Sequence, residues 1–145
     1  MSKKPEFADL FFSKTKDFLD IFLKSQEQRS ADTIKAYRIS LSSFYKYVTE
    51  VKEMKVMHFC FSDCTYEFVL SYSQYLQEAQ KLANSTVNQR LAALKSYLKY
   101  VSDGDIGLMQ IYMAVQKVPL LKTPKLQRPV IEKEDLKAFL AEPEN

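Results

Sequence analysis

Glycine is nearly missing from this chain of 145 residues, which has only Gly104 and Gly107. That scarcity removes the glycine-rich loops that cradle phosphates, and it disfavours folds built from many tight turns. Tryptophan is absent and proline is limited to five residues, so helices joined by short connections fit better than a sandwich or a disordered tail. Cys60 and Cys64 are the only cysteines. They are too few for a disulfide framework and read as free thiols. The single histidine, His58, leaves no defensible Ser/His/Asp set. With Cys60, Asp63 and Cys64 it matches no standard zinc spacing, so neither metal nor cofactor is expected. No apolar run reaches membrane length, and Met1-Ser2-Lys3-Lys4-Pro5-Glu6 contains no signal-peptide core. A cytoplasmic protein without a membrane partner is expected.

What is present is helical periodicity. The length suits one domain with a real core, and the expected class is all-α, a compact bundle of four to five helices. Phe7, Leu10, Phe11, Lys14, Phe18, Ile21 and Phe22 fall near one face of a first helix over about 7–24. Ser30 is a good N-cap for a second helix, with Asp32 in its first turn and a stripe of Ile34, Tyr37, Leu41, Phe44, Tyr45 and Val48. The apolar but aperiodic stretch from Glu50 to Phe61 predicts a loop that tucks side chains into the core, with a short strand as the alternative. Ser62 or Asp63 is placed to cap a helix carrying Phe68, Tyr72, Tyr75, Leu76 and Ala79. Asn84 or Ser85 is placed to cap one carrying Val87, Leu91, Leu94, Leu98 and Val101. Gly104 suits the end of that helix, and Leu108, Ile111, Tyr112 and Val115 support a short fifth one closed by Pro119. The expected organisation is a helical domain over 1–116, an extended basic linker over 117–130 and the start of a further domain over 131–145.

Net charge is only +3, but its distribution is uneven. Between residues 79 and 131 eight basic residues face only Asp103 and Asp105, the segregation expected of a surface that meets a polyanion. If the apolar stripes face the core, a turn of roughly 100° per residue gathers Lys35, Arg38, Ser42, Lys46 and Thr49 on the outside of the second helix. The same construction gathers Ser85, Asn88, Ala92, Lys95 and Lys99 on the outside of the fourth. Cations mixed with short hydrogen-bonding side chains suit phosphate neutralisation and base-edge contact. Lys117, Lys122, Lys125 and Arg128 add charge on the linker. Tyr37, Tyr45, Tyr72, Tyr75, Tyr97 and Tyr100 lie in or beside the helical stripes and read as core or rim residues.

The stretch Asn84-Ser85-Thr86-Val87-Asn88-Gln89-Arg90-Leu91-Ala92-Ala93-Leu94-Lys95-Ser96-Tyr97-Leu98-Lys99-Tyr100-Val101 resembles a pattern of the core-binding, SAM-like N-terminal domain of the tyrosine recombinases and phage integrases. There a Thr is followed by an Arg, a Leu, and Ala-Leu-Arg/Lys before an aromatic residue. Thr33-Ile34-Lys35-Ala36-Tyr37 with Leu41 and Phe44 supports the likeness, and Lys125 through Leu136 resembles the family's linker and first catalytic-domain helix. The resemblance implies a clamp on double-stranded DNA at a recombination half-site, shared with sister protomers, with the second and fourth helices at the major groove. The candidate DNA-binding set is then Lys35, Arg38, Ser42, Lys46, Ser85, Thr86, Asn88, Gln89, Lys95, Lys99, Lys122, Lys125 and Arg128. The family's His-x-x-Arg motif has no match, because His58 is followed by Phe59, Cys60 and Phe61. The resemblance therefore places the catalytic set beyond Asn145 and implies a domain that binds without cutting. The Glu50–Phe61 loop is longer than the family's, and Asp105-Ile106-Gly107-Leu108-Met109 stands where an Asn-Pro is common. Two other readings remain: a helical protein-interaction domain with a basic face for an acidic partner, and an enzyme whose site has no recognisable motif.

Overall fold

The computed structural model describes residues 6–123. These residues form an all-α bundle of five main helices. A wide-turned π-helix covers Asp17–Gln26, followed by α1 (Ala31–Lys46), α2 (Tyr66–Glu78), α3 (Asn84–Gly104) and α4 (Met109–Gln116). Among the described residues no helix is long and apolar enough to cross a membrane.

The mast of the fold is α3. Its buried residues Val87, Leu91, Leu94, Leu98 and Val101 are the stripe that the periodicity predicts. Burying an aliphatic side chain of this size stabilises by about 1.5–3 kcal/mol, which fixes this face inward. Tyr97 adds a tether: its hydroxyl donates to the Phe11 carbonyl and accepts from the Lys14 amide at 3.1 Å. Burial pushes the Tyr97 phenol well above its ordinary pKa, with Lys14 pulling it partly back. The N-terminal segment is thereby held to a helix more than 80 residues away.

That segment departs from the single helix expected over about 7–24. It is assembled from 3₁₀ turns at Phe7–Asp9 and Phe11–Lys14, then the π-helix. Changing the turn width breaks the 3.6-residue period. Phe7 and Ile21 are therefore exposed, whereas Leu19 and Leu23 are buried. Phe11 becomes the hub of an aromatic core, its ring 4.8–5.5 Å from those of Phe12, Phe44, Phe59, Phe61 and Tyr97. Phe59 and Phe61 come from the 50–61 loop, which inserts side chains into the core as the sequence predicts. Its extended pairing is a lone bridge between Leu10 and Cys60.

Capping follows the sequence in part. Ser30 caps α1, accepting from the Thr33 amide at 3.1 Å. The cap of α2 is Thr65, which accepts from the Phe68 amide. Asp63 instead accepts from the Cys60 amide at 2.8 Å and closes the Phe61–Asp63 turn. No side chain caps α3: Ala83 holds the N-cap position, and Asn84 is engaged elsewhere. Three helical segments end through a non-glycine residue in left-handed backbone: Gln28, Glu53 and Lys81, with φ of 52°, 55° and 52°. After each, the next amide reaches back to close the helix end, from Arg29 to Leu23, Met54 to Val48 and Leu82 to Leu76. With only two glycines, the chain accepts a cost of roughly 1 kcal/mol at each such position.

Candidate nucleic-acid interface

Between α1 and the corner joining α2 to α3 lies an open groove of about 450 Å³. Its cations are Arg38, Lys46 and Arg90, its neutral polar groups include Ser42 and Gln80, and its acid is Glu50. Lys35, Arg38, Ser42 and Lys46 are exposed on α1, because Leu41, Phe44 and Val48 fix the opposite face in the core. A wide turn follows at Tyr47–Val51; Tyr47 is buried at 3% exposure, and Tyr45 stands at the rim at 41%. Tyr45 still packs its ring 5.3 Å from that of Phe12, as a rim residue of the stripe. Arg38 is held 3.7 Å from Asp20, an exposed pair that leaves the guanidinium accessible.

Arg90 is the groove residue that the construction of outward faces missed. It is half-buried and sits beside the hydroxyl of Tyr72, which bonds Ser43 at 2.7 Å. Burial raises the Tyr72 pKa, and Ser43 and Arg90 pull it back. Its guanidinium is a planar fork of the kind that suits a phosphate or a base edge. The signal was present in the sequence, since Arg90 turns toward α1 when Val87 and Leu94 face the core. In the sequence it stands out only within the charge excess and the family-like Asn84–Val101 pattern. Gln89 lines a second, smaller hollow with Thr33, Ala36, Tyr37, Ser40, Ala92 and Ala93, where α1 and α3 meet.

The other face of α3 is different. Residues 118–122 run back along it and occupy its polar side chains. Asn84 donates to the Lys122 carbonyl at 2.9 Å, and Lys95 donates to the Val118 carbonyl at 2.6 Å. Asn88 both donates to the Leu121 carbonyl at 2.9 Å and accepts from the Leu121 amide at 2.7 Å. Val118 is buried. Asn88 and Lys95 are thus half-buried rather than open, and burial lowers the Lys95 pKa. The start of the expected extended linker packs on the domain because Val118 and Leu121 supply apolar side chains for it.

The remaining candidates are dispersed. Ser85 is exposed and Thr86 half-buried in the first turn of α3. Lys99 is exposed but lies 3.4 Å from Asp103 one turn on. The Lys122 side chain is exposed. Lys125, Arg128 and the helix expected after Ile131 lie outside the described residues. Burial raises the pKa of both thiols, most strongly for Cys64, which is fully buried in the core. Among the described residues no group of three or more His, Cys, Asp or Glu side chains is placed to hold a metal.

Comparison with known proteins supplies the family. The family described as "Phage integrase SAM-like domain" matches residues 14–116, which takes in the π-helix and all of α1 to α4. The tyrosine recombinase XerC of Roseiflexus sp. (strain RS-1) is 30% identical over 89 residues, 59% of this chain. The match spans 26% of that relative's length, so the chain corresponds to about a quarter of it. No solved structure matches the chain significantly. With the family match covering the whole helical bundle, the chain belongs to the phage integrase SAM-like domain family.

Proposed function

We infer that this domain grips double-stranded DNA at a recombination half-site, as the non-catalytic N-terminal part of a tyrosine recombinase that works with sister protomers. The carrying observation is the open groove where Arg38, Lys46 and Arg90 converge with Ser42 and Gln80. The cations neutralise phosphates and release counterions. Ser42, Gln80 and Arg90 are of the types that read base edges. Bond chemistry is left to residues outside this chain: the only histidine, His58, lacks the arginine that the family motif requires three positions later.

A second reading has one observation in its favour. Ile39 and Val51 line the same groove at 49% and 42% exposure, which would suit an acidic amphipathic peptide. Fluorescence anisotropy on a labelled short duplex, competed by unlabelled duplex and by a poly-glutamate peptide, separates the two. The DNA reading expects saturable binding that unlabelled duplex displaces and equimolar peptide does not. Displacement by peptide alone, or no duplex binding at low salt, overturns it.

A further inference from the structure

We propose that residues 118–122 form a latch on α3, which stays closed on DNA and carries the chain from the end of α4 back to the first turn of α3. The register carries the inference. Asn84, Asn88 and Lys95 lie within roughly 40° of one another at 100° per residue, so they form one row along the helix. They meet Lys122, Leu121 and Val118 in reverse order, so the segment runs antiparallel to α3. Residues 84 to 95 rise about 16 Å along a helix, and residues 118 to 122 span about 13 Å when extended. The row and the segment therefore match in length.

Every one of these hydrogen bonds is made to main-chain atoms of the latch. The two-way pairing of Asn88 with Leu121 imitates one rung of a β-ladder, and buried Val118 anchors the other end. A free tether would instead leave those carbonyls to water and Val118 exposed. The closed latch ends at Asn84, three residues after the left-handed turn at Lys81 and beside the corner where Gln80 and Arg90 line the groove. It therefore delivers the exposed Lys122 to the groove end of the domain. This last consequence rests on the DNA-binding reading, whereas the latch itself does not.

The test is amide hydrogen exchange at Leu121 in the 145-residue chain, free and with a short duplex, for the unaltered protein, Asn88→Ala and Asn88→Asp. The latch predicts that the Leu121 amide exchanges about tenfold more slowly in the unaltered protein than in Asn88→Ala. Asn88→Asp, which keeps the acceptor and loses the donor, falls between. Circular dichroism checks that both variants remain helical, and faster tryptic cleavage after Lys117 and Lys122 in Asn88→Ala is an independent readout. Adding duplex leaves the protection in place. Equal exchange in the unaltered protein and Asn88→Ala overturns the latch, and loss of protection on adding duplex overturns its closure on DNA. If the chain binds no duplex at all, the functional reading falls while exchange in the free protein still decides the latch.

Discussion

Two faces of this domain look alike on a helical wheel and differ in the folded molecule. The outer face of α1 carries Lys35, Arg38, Ser42 and Lys46, all exposed. The matching face of α3 carries Asn88 and Lys95, both bonded to the chain's own backbone at 118–121. Periodicity finds the side of a helix that points away from the core it packs on. It cannot tell whether a later segment returns to cover that side. Among the described residues the α1 side with Arg90 is left uncovered, whereas the Asn88–Lys95 row holds the backbone of residues 118–121.

The largest expected effect on this contrast is at Arg90. Replacing it with Ala should weaken duplex binding by about 1–3 kcal/mol if it makes a base contact, and flatten the salt dependence by about 0.9 if it neutralises a phosphate. Anisotropy titrations across a salt series check both, and unchanged affinity would remove Arg90 from the interface. Next comes Asn88→Ala, which leaves the Leu121 amide and carbonyl without partners. It should cost about 1–2 kcal/mol in urea unfolding, whereas Ser42→Ala on the open face stays within about 0.5 kcal/mol. Equal costs would dissolve the distinction between the faces. At the corner near the groove end, Lys81→Gly should stabilise by about 0.5–1 kcal/mol by relieving the left-handed backbone, read as a raised thermal midpoint. Smallest is Asp20→Asn, which frees Arg38 from an exposed pair worth about 0.2–1 kcal/mol. It should tighten DNA binding by no more than about fivefold, and weaker binding would show that Asp20 positions Arg38 rather than competing for it.

Much of the fold was legible because its signals are local. The Ser30 cap, the α3 stripe and the aromatic insertion from the 50–61 loop follow from residue types and spacing within a few turns. The errors arise where local rules meet a change of geometry or a distant segment. Buried Tyr47, at the start of the wide turn Tyr47–Val51, lies outside the stripe that periodicity picks out. Variable turn widths broke the first helix, and Asn84 gave up a capping role to bond Lys122, 38 residues away. The candidate site divides the same way. The outward placement of the α1 cations followed from periodicity alone, because no segment among the described residues folds back over them. Arg90 lies beside the α3 apolar stripe, so a construction that looks only at the face opposite that stripe passes over it. Asn88 and Lys95 were placed in the open because the path of 118–122 is set by tertiary packing of Val118, not by any local propensity.

Paired charge reversals measured by anisotropy on one duplex at low salt test the central claim most directly. Arg38→Glu with Lys46→Glu should weaken binding by about a hundredfold or more, as two phosphate contacts become repulsions. Lys95→Glu should leave affinity within about threefold, provided circular dichroism shows the fold retained, because that position faces the latch and not the ligand. The opposite pattern, with Lys95→Glu abolishing binding and the α1 pair leaving it intact, would place DNA on the face that the latch covers and contradict the account.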